Sequence, residues 1–110
     1  MNLLHEMTEE LEDRGYNFDD IEAVQGRKER ISVKRFKELA DLEYDDEHGA
    51  AQVATDLVIL MKDGSWFSRW KCGESEGWRY NRRPQPLASI DDAAVHRLVG
   101  EYWPTLRDLN

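Results

Sequence analysis

The run "DLEYDDEHG", residues 41–49, sets five carboxylates close together: Asp41, Glu43, Asp45, Asp46 and Glu47. Alternating carboxylates suit a calcium loop, which needs ligands at its first, third and fifth positions, glycine at the sixth and glutamate at the twelfth. Counted from Asp41, position six is Asp46 and position twelve is Gln52, so the pattern fails. No metal and no other cofactor is expected. The plainest reading is a solvated helix end. The same carboxylates also mimic a phosphate backbone, and so could occupy a basic groove on a nucleic-acid-binding protein. Glu9, Glu10 and Glu12 would extend that surface, with Glu6, Asp13, Asp19, Asp20 and Glu22 beside them.

A second constellation mixes aromatic and basic side chains: Trp66, Arg69, Trp70, Lys71, Trp78, Arg79, Tyr80, Arg82 and Arg83. Aromatic platforms with interleaved cations can stack and track single-stranded nucleic acid. Residues 1–49 carry 15 acids and 7 bases, net −8, whereas residues 50–86 carry 4 acids and 6 bases, net +2. The central segment is therefore the only positive one.

Catalytic chemistry finds little footing. His5, His48 and His96 fall on three different predicted elements without metal-ligand spacing. Cys72 could be a nucleophile only if a histidine came near it in the fold. "GESEG", residues 73–77, matches the letters of a hydrolase nucleophile elbow but lies between predicted strands, not before a helix. No catalytic residue is assigned, and an enzyme is not expected.

Local signals supply the elements that would position these groups. Leu4, Met7 and Leu11 mark an amphipathic helix over residues 2–14, with Gly15 just past its end. Residues 21–25 read as a short strand and "GRKER" as a polar connection. Ser32 caps a second helix, and Ile31 with Phe36 could form a hydrophobic staple. Residues 53–61 form a strand, and Asp63-Gly64 after it signals a two-residue hairpin turn. That turn would set Met61 opposite Trp66, Ile59 opposite Ser68 and Leu57 opposite Trp70. Leu57, Ile59, Met61, Trp66 and Trp70 would then face the helices. Leu60, Phe67 and Arg69 would lie on the other face, where aromatics and arginine make good anchors for a protein partner. A third strand is expected over Trp78–Arg82. A last helix is expected on Ile90, Ala94, Val95, Leu98, Val99 and Tyr102, with Pro104 ending it.

The predicted fold is a single α+β domain over residues 1–110, in the order α-β-α-β-β-β-α. A small antiparallel sheet of three to four strands would carry helices on one face. With 35% charged residues and a net charge of −8, general affinity for nucleic acid is disfavoured and a basic partner is favoured. No apolar run approaches the roughly 20 residues that span a bilayer. The N-terminus lacks the pattern of a signal peptide. A lone cysteine fits a reducing compartment, so a cytoplasmic protein is expected.

The stretch "FKELADLEYDDEHGAAQVATDLVILMKDGSWFSRW", followed by "GESEGW", resembles small proteins of phages and mobile elements. That setting includes acidic anti-CRISPR and anti-restriction inhibitors of similar size, and it implies binding rather than catalysis. The expected function is therefore a non-enzymatic protein-binding inhibitor, phage-encoded and acting in a host cytoplasm, that blocks a basic groove by partial DNA mimicry. Its expected contact residues are Asp41, Glu43, Asp45, Asp46 and Glu47, then Glu9, Glu10 and Glu12. Phe67, Arg69 and Trp78 form a secondary sheet surface. An immunity or antitoxin protein that neutralises a basic toxin is one alternative, and a single-stranded nucleic-acid-binding module is the other.

Overall fold

The computed structural model describes residues 1–46 and 49–110. Glu47 and His48 lie outside the described residues. The first helix, α1 (Leu3–Glu12), is capped by Asn2, whose side-chain oxygen accepts from the His5 amide at 3.0 Å. Leu3, Met7 and Leu11 recur at helical spacing and are buried together. Gly15 takes a positive φ of 75°, which turns the chain away from the helix. A short 3-10 turn, Phe18–Asp20, leads into β1 (Ile21–Gln25).

The polar connection expected after β1 closes a hairpin with an extra two-residue strand, β2 (Arg30–Ile31). Ser32 caps α2 (Val33–Ala40) by accepting from the Arg35 amide at 3.0 Å, as its sequence position predicts. Three strands follow, β3 (Val58–Met61), β4 (Trp66–Cys72) and β5 (Ser75–Asn81). The sheet is antiparallel in the order β2-β1-β3-β4-β5. Side chains of α1 and α2 join Ile21, Val24, Ile59, Met61, Phe67 and Trp78 in one core on one face of the sheet. The fold is α+β, with five strands where three to four were expected.

The β3–β4 turn departs from the two-residue loop. Met61 donates its amide to the Ser65 carbonyl at 2.9 Å, and Gly64 donates to the Met61 carbonyl at 3.1 Å. The loop is Lys62-Asp63-Gly64, with the left-handed position taken by Gly64 at φ 89°. Asp63 braces the turn by accepting from the Ser65 amide at 2.9 Å and the Ser65 hydroxyl at 2.5 Å. The pairing that results is Ile59 with Phe67, Leu60 with Trp66 and Val58 with Ser68. One added loop residue slips the register by one, and a slip of one exchanges the faces of a whole strand. Phe67 and Arg69 therefore point into the core, and Trp66 and Trp70 lie on the face away from it.

The expected helix over Ile90–Tyr102 is replaced by a single 3-10 turn, Asp92–Ala94. Its apolar stripe stays in solvent: Ile90, Val95, Leu98, Val99 and Tyr102 are all exposed. A helix of that length without a packing partner is marginal in water. After Pro104 a last turn, α3 (Leu106–Leu109), does form, with Thr105 and Asp108 in a reciprocal cap.

Candidate functional site

Arg69 sits at the centre of the folded body. Its side chain is only 4% exposed, and it donates to Glu6 Oε1 at 3.0 Å, Glu76 Oε1 at 2.9 Å and the Tyr44 hydroxyl at 3.3 Å. Its guanidinium carbon lies 4.7 Å from the centre of the Trp78 ring. Tyr44 donates in turn to Glu6 Oε2 at 2.5 Å. Glu76 also accepts the Gln52 and Val53 amides at 2.8 and 3.2 Å. The cluster ties α1, the segment around Tyr44, β4 and β5 to each other. Burial pulls the Arg69 pKa down, but the bonds to Tyr44, Glu6 and Glu76 outweigh it and leave the pKa raised. Burial and the bond to Glu6 both push the Tyr44 phenol up. At Glu76 burial works upward, yet the two amides and Arg69 hold its carboxyl below the usual range.

This cluster corrects the secondary sheet surface expected from the sequence. Phe67 is fully buried and Trp78 is 6% exposed, so Phe67, Arg69 and Trp78 are core groups, not partner contacts. Glu6 and Glu76, which hold the arginine, were not legible as its partners. They lie 63 and 7 residues from it in sequence, and it is the observed strand register that turns Arg69 toward them.

The acidic residues form two groups, one beside the start of α1 and one near its C-terminal end. The extended segment after α2 runs against the start of α1: Leu3 donates to the Leu42 carbonyl at 3.1 Å, and Tyr44 to the Met1 carbonyl at 2.8 Å. Asp41 accepts from the Asn2 side chain at 3.1 Å, and Glu43 pairs with the Met1 ammonium at 3.1 Å. Glu43, Asp45 and Asp46 line one shallow depression beside Met1. The Glu43 carboxylate, with Asp46 and Asp45 adding to it, raises the pKa of that ammonium against the pull of burial. The Asp45 amide donates to the Gln52 side chain at 3.0 Å, and the Asp46 carbonyl accepts from the Glu76 amide at 3.1 Å. Glu47, the fifth carboxylate of the run, is outside the described residues.

The second group is on α1. Glu9 pairs with His5 at 3.1 Å, Glu10 pairs with Arg14 at 2.9 Å, and Glu12 is exposed. Burial, then the neighbouring Asp13 and Glu6 carboxylates, raise the Glu10 pKa despite Arg14. Glu9, Glu10 and Glu12 occupy the C-terminal end of the helix, whose last turn holds no base.

The face of the sheet away from the helices carries Val58, Leu60, Trp66, Ser68, Trp70 and Arg79, a set the strand pairings place side by side. The Trp70 indole lies over Gly77, where an added Cβ would come within 3.1 Å of its ring nitrogen. That nitrogen donates to the Trp78 carbonyl at 3.1 Å. Both indoles stay partly exposed.

At one end of the sheet Tyr16 donates to Asp63 and lies 2.9 Å from the Tyr80 hydroxyl. The Asp63 bond raises the Tyr16 pKa to about 12, and the Ser65 hydroxyl, then Tyr16, lower that of Asp63 to about 2. Arg82 and Arg83 face the same turn across a polar cavity of about 220 Å³. Cys72 is exposed, and His5 and His96 lie on other elements. Among the described residues no three His, Cys, Asp or Glu groups are placed to hold a metal, and no helix is long and apolar enough to cross a membrane. Set against protein-family profiles, curated proteins and solved structures, the chain matches none of them.

Proposed function

We propose that this chain is a non-enzymatic protein-binding inhibitor, and that its acidic side is the contact surface. That side is formed by α1 and by the segment that holds Asp41, Glu43, Asp45 and Asp46. One observation carries the reading. Glu12 is exposed, forms no ion pair among the described residues and stands at the C-terminal end of α1, where the helix dipole disfavours an anion by about 0.3–1 kcal/mol. Glu9 and Glu10 are paired with His5 and Arg14, but local stability does not account for Glu12 there, whereas an attraction to a basic partner does. Occlusion of a basic nucleic-acid groove then follows from charge complementarity, which speeds encounter and fixes orientation. A phage or mobile-element origin, action in a host cytoplasm and a nuclease or defence complex as target are consistent with the sequence resemblance.

Affinity capture from a lysate, followed by mass spectrometry and a salt series, tests the proposal. A basic nucleic-acid-binding protein is expected to be captured and to elute steeply as ionic strength rises beyond about 0.1 M. The double variant Glu9→Lys, Glu12→Lys is expected to weaken capture about tenfold or more. The same variant should unfold at an equal or slightly higher temperature, because cations suit that end of a helix. Capture that ignores both salt and charge reversal contradicts the proposal.

A second reading draws on a different observation. Trp66, Trp70 and Arg79 share the open sheet face, so stacking groups and a cation are not on opposite sides as the two-residue turn implied. This favours single-stranded nucleic acid as a ligand of that face. Titration with short single-stranded DNA and RNA at low salt separates the readings. Quenching of tryptophan emission that Trp70→Ala abolishes supports the sheet face, and unchanged emission removes it.

A further inference from the structure

Beyond β5 the chain runs Arg82-Arg83-Pro84-Gln85-Pro86. A proline disfavours the helical region for the residue before it, so Arg83 and Gln85 are both biased to extended backbone. Side chains two apart on an extended segment lie on one side of it. Arg83 and Gln85 accordingly line the same polar cavity of about 220 Å³, and Arg82 lines it with them. The Asn81 side chain anchors the start of this segment, donating to the Ser68 hydroxyl at 2.9 Å and the Arg79 carbonyl at 3.1 Å.

The other wall is the β3–β4 turn, Asp63, Gly64 and the buried Ser65. Both Asp63 oxygens are already engaged. Its Oδ1 accepts the Ser65 amide and hydroxyl, and its Oδ2 accepts the Tyr16 hydroxyl, which lies 2.9 Å from that of Tyr80. These bonds fix the turn and leave the carboxylate surrounded by its own donors. The arginines are not held in this way: among the described residues Arg82 and Arg83 form no ion pair. Two guanidiniums therefore stand against one carboxylate, and the cavity is net cationic in a chain of net charge −8.

We propose that this cavity binds a terminal phosphate group, a phosphate monoester whose oxygens are held by Arg82, Arg83 and Gln85. The donors select that class. One planar guanidinium fork satisfies both oxygens of a carboxylate, whereas two forks and an amide can reach three oxygens of a tetrahedral group. A monoester also carries about −1.5 to −2 at pH 7, so it draws on both cations at once. Two sources offer such a group: a small phosphorylated molecule and the phosphorylated end of a nucleic-acid strand. The inference rests on neither reading above, since it uses neither the acidic side nor the indoles of the open sheet face.

The full chain is titrated with inorganic phosphate at constant ionic strength, with chloride as the balancing anion, and followed by amide NMR shifts. Saturable shifts are expected at Gly64, Ser65 and Gln85. The affinity should rise severalfold from pH 5 to pH 7, because the second phosphate pKa is about 6 and the dianion is the better ligand. Arg82→Gln and Arg83→Gln, both at exposed positions, should each raise the dissociation constant about tenfold or more with unchanged circular dichroism. Two further titrations distinguish the sources. Tighter binding of a nucleoside 5′-monophosphate than of phosphate supports a small ligand, and an oligonucleotide that binds only when 5′-phosphorylated supports a strand end. Shifts that do not saturate, that chloride reproduces, or that survive both arginine replacements overturn the proposal.

Discussion

Replacing Arg69 with alanine is expected to lower the melting temperature by more than about 12 °C, or to unfold the domain outright. The substitution leaves Glu6 and Glu76, both largely buried, without their shared cation. Breaking a buried ion pair from one side costs about 3–5 kcal/mol, a large part of the stability of a domain this size. Each kcal/mol moves the melting temperature of a small domain by roughly 4–8 °C. Arg69→Lys should recover little of the loss, because one ammonium cannot reproduce the fork that reaches Glu6, Tyr44 and Glu76 together. Thermal unfolding followed by circular dichroism reads both variants. If Arg69→Ala melts within a few degrees of the parent, the side chain is not buried among those carboxylates.

Phe67→Ala is expected to cost about 3–5 kcal/mol, the usual range for removing a fully buried aromatic ring. Trp66→Ala, one residue earlier, should cost only about 1 kcal/mol, although the indole is the larger group. Trp66 lies on the open face and loses only the partial cover of its neighbours, whereas Phe67 packs against Tyr80 at 5.2 Å between ring centres. Urea unfolding of the two variants gives the comparison. The two-residue turn would order them the other way, with Trp66 in the core and Phe67 in solvent.

Helix and hairpin positions were legible because their signals are local. Ser32 caps a helix, Gly15 turns the chain after α1, and apolar residues at steps of three and four mark the buried stripes. The register was not legible, since Asp63-Gly64 suits both a two-residue turn and a three-residue loop with glycine at its left-handed position. Alternation could not decide between them. Val58 and Leu60 are as apolar as Ile59 and Met61, and Trp66 and Trp70 as apolar as Phe67. The ion pairs of Arg69 with Glu6 and Glu76, 63 and 7 residues away, go with the observed face, and they have no signature in the alternation. At the C-terminus the spacing of Ile90 to Tyr102 predicts a helix that does not form, because spacing makes a helix only where another surface covers it. Of the acidic residues, the closeness of Glu43, Asp45 and Asp46 follows from sequence adjacency. Their approach to Met1 and α1 depends on the segment after α2 folding back.

Both faces of the sheet depend on one pairing, so nuclear Overhauser contacts across the β3–β4 hairpin test the description most directly. Contacts between the backbones of Ile59 and Phe67, and of Leu60 and Trp66, are expected. Contacts joining Ile59 to Ser68 and Met61 to Trp66 instead would put the indoles in the core and Arg69 in solvent, and would contradict it.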